Sequence, residues 1–124
     1  YQTADWKKEK HVPVIEVADL LRKNEPTKIL VSVGKEIPHP NTTEHHIMWI
    51  RLLFLPDGEK FPYQIGEVSF DSHGASVEGA NESTIYCEPY ATFLFKTAKP
   101  GKLISTSYCN IHGLWMDEKK IKVE

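Results

Sequence analysis

Short segments rich in β-branched and aromatic residues alternate along this chain with Gly, Pro, Asn and Asp. The first group of residues favours extended strands, and the second favours turns. Strands are predicted at 27–34, 46–55, 61–70, 90–97, 102–109 and 119–123, with a further short one near 76–79 or 83–87. About seven short strands separated by turns predict an all-β fold, a seven-stranded β-sandwich.

Local patterns refine this prediction. The sequence LPDGEKF contains Pro-Asp-Gly and predicts a hairpin turn, and KPGK at 99–102 predicts another. The segment VADLLRKNE, at 17–25, predicts one short helix. The run 47–55 is apolar on both alternating faces except at Arg51. We therefore expect one face of this strand to pack on the second sheet and the other to pack on another subunit.

Length and charge exclude several classes of protein. A chain of 124 residues predicts a single domain, 1–124, with one hydrophobic core. A formal net charge of −2 argues against nucleic acid or an acidic membrane surface as a partner. No apolar run is long enough to span a bilayer, and the first twenty residues carry charge throughout. We therefore expect a cytoplasmic protein without a membrane partner.

Side chains that commonly bind metals are concentrated in turn-like segments beside the predicted strands. Cys109 and His112 form a Cys-x2-His pair that ends in Gly113, so a thiolate and an imidazole can reach one ion. Loops projecting from a rigid β scaffold can direct such side chains to a common point. The sequence therefore predicts a mononuclear metal site, and the candidate ligands are His11, His39, His45 or His46, Cys109 and His112.

Three of the possible metal donors are expected to lie outside this site. Adjacent side chains of an extended segment point to opposite faces, so only one of His45 and His46 can join the metal site. The residues alone do not decide which of the two it is. His73 has no other donor beside it and is expected to be an ordinary solvated or hydrogen-bonded side chain. Cys87 has no neighbouring histidine and is expected to be a buried thiol.

The donor set also bears on the identity of the metal. Cys109-x2-His112-x3-Met116 on a β-sandwich imitates the ligand loop of cupredoxins, which are copper electron carriers. A cupredoxin needs only one further histidine, whereas this chain offers three more histidine-containing segments, and this argues against copper. Four ligands would saturate structural zinc, and five are present here. Four imidazoles and one thiolate favour iron with an open sixth position.

Three segments in the same order resemble the superoxide reductases of the neelaredoxin type, which are related to desulfoferrodoxin. They are EKHVPVIE at 9–16, VGKEIPHPNTTEHHI at 33–47 and SYCNIHGLW at 107–115. The resemblance implies an immunoglobulin-like sandwich with metal-ligand loops at one end. It also implies one iron with four equatorial histidines, an axial cysteine and two flanking charged residues, which are here His11, His39, His45, His112, Cys109, Glu9 and Lys10. No Cys-x2-Cys is present for a second iron site.

The same resemblance implies the reaction, which is one-electron reduction of superoxide to hydrogen peroxide as an antioxidant defence. Lys10 is expected to steer the anion and to order a proton-donating water, and Glu9 is expected to close the sixth position in the oxidised state. Rubredoxin or a similar small carrier is implied as electron donor, and a homotetramer as the assembly. The alternative function is a cupredoxin-like electron-transfer protein without a substrate site.

Overall fold

The computed structural model describes all residues from Tyr1 to Glu124 and contains eight β-strands. Strands β1, β3 and β6 form a three-stranded sheet, and the other five form a second sheet in the order β2-β8-β7-β4-β5. No helix in the chain is long and apolar enough to cross a membrane. The strands are β1 Pro13–Glu16, β2 Leu20–Leu21, β3 Thr27–Val33, β4 Ile47–Pro56, β5 Tyr63–Ser69, β6 Tyr90–Phe95, β7 Gly101–Cys109 and β8 Gly113–Val123.

The hydrophobic core lies between the two sheets and is built from alternate residues of each strand. Ile29 and Val31 of β3 are fully buried, as are Ile50 and Leu52 of β4. Side chains at every second position share one face of a strand, so this alternation places them all against the opposite sheet. Each such side chain contributes about 1.5–3 kcal/mol by leaving water. The core cluster also contains the thiol-bearing Cys109.

The all-β prediction is confirmed, and five of the predicted strands lie within two residues of the observed ones. The sixth prediction, 119–123, covers only the end of β8, because Gly113 already pairs with Cys109 and the ladder continues from there. The sequence patterns also missed β1, because its residues, Pro-Val-Ile-Glu, do not alternate between apolar and polar. No strand forms near 76–79 or 83–87, where only isolated bridges occur.

The predicted helix at 17–25 is wrong. Leu20 and Leu21 instead pair in parallel with Lys122 and Val123 of β8, and this places Leu21 in the core. Asn24 has a positive φ of 60°, which interrupts any helical geometry. A nine-residue helix is marginal in water, so hydrogen bonding to a free sheet edge outweighs the weak helical preference.

One of the two predicted hairpin turns is confirmed and the other is wrong. β4 and β5 pair in antiparallel fashion across the Pro56–Gly58 turn, in which Gly58 has a φ of +76°. The segment 99–102 does not close a hairpin, because β6 belongs to the three-stranded sheet and β7 to the five-stranded sheet. The chain therefore crosses between sheets there, and Gly101 begins β7 opposite Pro56.

Strand pairing brings the three candidate ligand segments to one end of the sandwich. The start of β1 pairs with the end of β3, at Pro13 and Val33. The start of β4 pairs with the end of β7, at Ile47 and Cys109. His11 lies just before β1, the loop 34–46 joins β3 to β4, and the β7–β8 hairpin carries His112. Antiparallel registry within each sheet, together with the packing of the two sheets on each other, thus clusters residues that are up to 101 positions apart.

Candidate metal centre

Four of the predicted ligands converge at this end of the molecule. One donor atom from each of His11, His45, Cys109 and His112 lies within 4.8 Å of the donor atoms of the other three. His11 and Cys109 are buried, His45 is half-buried and His112 is exposed. The group therefore has a protein-covered side and an open side.

The distances between ring nitrogens suit ligands of one ion. His112 Nδ1 lies 3.1 Å from His11 Nε2 and 3.3 Å from His45 Nε2. Two nitrogens bound at right angles, each about 2.1 Å from a metal, would lie roughly 3.0 Å apart. The Cys109 thiol lies 3.8 Å from the same His112 nitrogen, as expected for a longer metal–sulfur bond. The donor set therefore fits a single bound metal.

With His39, four imidazole rings form a closed cycle in which each ring neighbours two others. Its ring centre lies 4.8 Å from that of His11 and 4.7 Å from that of His45. The His112 ring lies 4.6 Å from His11 and 5.0 Å from His45, while His11 and His45 are 6.1 Å apart. The rings thus stand at the corners of a quadrilateral, with His11 and His45 on a diagonal. This closed arrangement would allow all four imidazoles to serve as ligands of one ion.

One nitrogen of His39 is buried without a hydrogen-bond partner, and this is independent support for a bound metal. Its Nδ1 faces the Pro40 carbonyl oxygen at 2.6 Å, so this nitrogen is the donor, and Nε2 is left as the acceptor. That Nε2 atom is buried and has no partner in the protein. An unsatisfied buried acceptor costs about 1–3 kcal/mol, which a metal–nitrogen bond would offset.

Burial and positive charge keep two of these imidazoles neutral. The pKa of His39 is lowered to about 4, mainly by burial and further by His11, His45 and Lys10, although the Pro40 carbonyl opposes the shift. The pKa of His45 is also lowered, again mainly by burial, with His112, His11 and Lys10 adding to it. Neutral imidazole is the form that binds metals, so the centre is prepared for a cation near neutral pH.

Cys109 and His112 lie at either end of a short turn, and we refer to this pair as the Cys109–His112 hook. It depends on a tight hairpin loop of three residues, 110–112, between β7 and β8. Gly113 follows this loop with a φ of +79°, a conformation that glycine adopts without steric cost. The turn brings the His112 backbone N–H to within 3.4 Å of the Cys109 thiol, to which it donates. Cys109 itself is fully buried, so water is excluded from the sulfur.

Three neighbours hold His11 in position. The Ser107 hydroxyl donates to the His11 carbonyl oxygen at 3.2 Å, and one Glu9 carboxylate oxygen lies 2.6 Å from His11 Nδ1. The Trp115 indole stacks on the imidazole at 5.0 Å and 15°, and its N–H donates to the His112 carbonyl oxygen at 3.2 Å. A partner on the outer nitrogen fixes the ring so that Nε2 faces the other ligands.

Glu9 and Lys10 lie at the rim of the group. Glu9 uses both carboxylate oxygens on His11, accepting from its backbone N–H at 2.6 Å and facing its ring nitrogen. Burial alone would raise the pKa of Glu9, but the hydrogen bonds and the charge of His11 lower it below its ordinary value. Lys10 is half-buried, and its charge reaches both His39 and His45, as their lowered pKa values indicate.

Other possible donors lie outside the group. The His46 and His73 rings stack at 3.6 Å and 6°, apart from the ligands. His73 is buried, with Asn41 Oδ1 at 3.1 Å from one ring nitrogen and the Phe70 carbonyl oxygen at 2.5 Å from the other. Cys87 is half-buried beside the core. The group brings two further histidines, His11 and His45, to the Cys109–His112 pair, whereas the copper alternative needs only one, so that alternative is not favoured.

Sequence patterns did not identify the residues that support the ligands. Ser107 sits within an ordinary strand, and only the tertiary contact with His11 reveals its part. Trp115 ends the family-like segment 107–115, but its stacking on His11 links segments that are far apart in sequence. No local signal distinguishes such residues from strand-forming neighbours, because their partners are non-local.

Comparisons with known proteins agree with this geometry. The sequence model of the Desulfoferrodoxin family matches residues 3–118. Superoxide reductase from Pyrococcus furiosus is 61% identical over 117 residues, which cover 94% of this chain and 92% of that protein. Neelaredoxin from Megalodesulfovibrio gigas is 49% identical over 124 residues, covering 100% of this chain and 95% of that protein.

A solved structure gives the same result in three dimensions. The superoxide reductase (neelaredoxin) from Archaeoglobus fulgidus in the reduced form superposes with a TM-score of 0.91 at 60% identity, covering 98% of both chains. Similarity of this degree extends along nearly the whole length of the chain and includes the segments that form the metal group. The chain therefore belongs to the desulfoferrodoxin family.

Proposed function

We propose that this protein is a superoxide reductase, which removes superoxide by reducing it with one electron to hydrogen peroxide. The observation that carries the proposal is the convergence of the Cys109 thiol with ring nitrogens of His11, His45 and His112. Family membership supports it, since relatives that match nearly the whole chain are superoxide reductases. The enzyme would be an oxidoreductase that acts on superoxide.

The resident metal in this proposal is a single iron. The residues that would hold this iron are His11, His39, His45, His112 and Cys109, and Glu9 would be a further ligand in the oxidised state. Bound iron would supply one electron to superoxide, which takes up two protons to give hydrogen peroxide, and a donor protein would restore that electron. Support for five permanent donors comes from the closed cycle of the four rings and the thiol beside them.

Lys10 is proposed to attract the substrate and to help deliver protons. Its side chain is half-buried, and its charge is felt by the imidazoles of His39 and His45. A cation at the rim of a partly covered site raises the local concentration of a small anion such as superoxide. The same ammonium group can hold a water molecule, which can pass a proton to the reduced product.

Glu9 is proposed to act in two ways. By accepting from His11 Nδ1 it fixes the ring, so that Nε2 is directed toward the ligand group. A carboxylate is also a hard ligand that prefers the more highly charged metal, so it would hold iron in its oxidised form. The second role requires Glu9 to exchange its hydrogen bonds with His11 for a metal bond.

The electron donor is proposed to be rubredoxin or a similar small carrier. The His112 ring is the exposed member of the group, which gives a docked carrier a short route to the ligands. We propose a homotetramer as the assembly. Its support is the outer face of β4, where Trp49, Leu53 and Leu55 are only half-buried within one chain.

Metal content and product stoichiometry test the proposed function. We expect about one iron per chain, one hydrogen peroxide for each superoxide consumed, and little release of oxygen. Turnover should continue only while a donor re-reduces the protein, because Glu9 and the thiolate both favour the oxidised state. Metal analysis and an oxygen electrode provide the measurements. Copper in the native protein, or oxygen evolved at half the rate of superoxide loss without a donor, would contradict the proposal.

The steering role of Lys10 has a separate test. Lys10→Ala should slow the bimolecular reaction with superoxide by roughly 3- to 10-fold at low ionic strength, and the difference should shrink as salt screens the charge. Lys8→Ala, at an exposed neighbour, serves as the control. Glu9→Ala removes a negative charge, so it should neither slow the reaction nor weaken its salt dependence, and it should change the visible spectrum of the oxidised protein. Pulse radiolysis at several salt concentrations measures the rate constant for the reaction with superoxide. Equal rate constants for Lys10→Ala and the parent at low salt would refute the steering role.

A further inference from the structure

Asn110 links the two loops that carry most of the candidate ligands. It lies in the β7–β8 hairpin, next to Cys109 and two residues before His112. Its side-chain Nδ2 donates to the Glu44 carbonyl oxygen at 2.9 Å, and its Oδ1 accepts from the His46 backbone N–H at 2.9 Å. Its own backbone N–H donates to the His46 carbonyl oxygen at 3.2 Å.

The two side-chain bonds of Asn110 fall on either side of His45. The Glu44 carbonyl belongs to the peptide group before His45, and the His46 N–H belongs to the peptide group after it. Thr42 binds the remaining polar atoms of the same two groups: its hydroxyl accepts from the His45 N–H at 3.1 Å, and its N–H donates to the His45 oxygen at 2.9 Å. Both peptide planes are therefore fully hydrogen-bonded.

Fixing both peptide planes fixes the direction of the side chain between them. The backbone has two soft dihedral angles at each residue, φ and ψ, and these are the rotations of the two planes about the Cα atom. Thr42 belongs to the same loop as His45, so its bonds set the local shape of the loop. Asn110 belongs to the hook of Cys109 and His112, so its bonds set His45 relative to those ligands.

We infer that Asn110 is a positioning residue for the metal centre, because its side-chain amide brackets His45 and aims that imidazole at the Cys109–His112 hook. An amide is the group suited to this task, since it offers a donor and an acceptor side by side. A carboxylate would place an oxygen against the Glu44 carbonyl, and a hydroxyl is too short to reach both peptide groups. This inference rests on the proposed assignment of His45 as a ligand.

The test is Asn110→Ala, with Fe2+ as the probe and a competing chelator to measure affinity. We expect Fe2+ affinity to fall about 10-fold, within the range found when residues that orient metal ligands are removed. The fold should persist, because Asn110 is exposed at the tip of a hairpin. Asn110→Ser should show the same loss and replaces the alanine variant if that variant does not fold.

Asn81→Gly is the matched control. Asn81 is also exposed and also bonds the same loop, through the Thr43 N–H at 2.9 Å and the Glu44 carboxylate at 2.8 Å. Its positive φ of 59° suits glycine, and its side chain flanks no candidate ligand. We expect Asn81→Gly to change Fe2+ affinity less than 3-fold while lowering the melting temperature of the metal-free protein about as much as Asn110→Ala.

The outcomes separate this inference from the proposed function. Parent protein that fails to bind one Fe2+ per chain would overturn the metal centre itself, and the inference with it. Parent that binds Fe2+, with Asn110→Ala and Asn110→Ser binding within 3-fold of it, would overturn the positioning role alone. Equal losses of affinity in the Asn110 and Asn81 variants would also overturn it, because the effect would then belong to the loop as a whole. As a further readout, Fe2+ should raise the melting temperature less in Asn110→Ala than in the parent.

Discussion

Replacing Cys109 with serine is expected to abolish the thiolate-to-metal charge-transfer band of the oxidised protein and to weaken Fe2+ binding by more than about 100-fold. The sulfur is fully buried, lies 3.8 Å from His112 Nδ1 and accepts from the His112 N–H. A serine hydroxyl keeps its proton near neutral pH and is a weak ligand, so the centre would lose its only anionic permanent donor. The visible spectrum before and after reduction, with chelator competition for affinity, provides the measurement.

Cys87→Ser is the control for the loss of a thiol. Cys87 is the other cysteine of the chain, and it lies half-buried outside the ligand group. The change should leave the band and the affinity intact, with a stability cost of about 1 kcal/mol at most. A band that survives Cys109→Ser, or one that disappears in Cys87→Ser, would show that Cys109 is not the sulfur ligand.

The second large effect is expected from a glycine that binds nothing itself. Gly34 begins the loop that carries His39 and His45, and its φ is +90°. A Cβ atom added there would lie 2.7 Å from the His39 backbone nitrogen, closer than real Cβ contacts allow. Gly34→Ala should therefore displace His39 as well as strain its own backbone. We expect the free energy of unfolding to fall by about 2–4 kcal/mol and Fe2+ affinity to fall about 10- to 100-fold.

Gly58→Ala separates backbone strain from displacement of the ligand loop. Gly58 has a similar φ of +76°, but a Cβ added there would meet nothing within 4 Å. This control should lose only about 1 kcal/mol of stability and none of its metal affinity. Denaturant unfolding of the metal-free proteins and chelator competition of the loaded ones measure the two quantities. Equal metal affinity in the two variants would refute the contact between Gly34 and the His39 loop.

The candidate ligand residue types and their local geometry could be read from the sequence. Cys109 ends β7 and His112 is the last residue of the three-residue hairpin loop that follows, so their proximity is a local property of the turn and of Gly113. The alternation of side chains along an extended segment likewise predicts that His45 and His46 point apart, and His46 does stack on His73 outside the group. Short-range geometry of this kind needs no knowledge of the rest of the fold.

Two local predictions failed because a distant partner decided the outcome. Leu20 and Leu21 pair with Lys122 and Val123 of β8 and so form the edge of the five-stranded sheet. The Pro-Gly turn at 99–102 leads from one sheet to the other, because β7 pairs with β4 and β8 rather than with β6. A propensity worth a few tenths of a kcal/mol per residue cannot oppose several backbone hydrogen bonds and a buried leucine.

The sequence by itself determined the all-β architecture, the candidate ligand types and the order of the candidate ligand segments. These depend on strand propensity, on turn residues and on the chemistry of imidazole and thiol, all of which are properties of neighbouring residues. The tertiary structure alone decided that His11 meets His112, that Trp115 stacks on His11, and that Asn110 brackets His45. These contacts depend on the packing of the two sheets and on antiparallel registry between strands far apart along the chain, where a shift of one residue would turn each side chain to the opposite face.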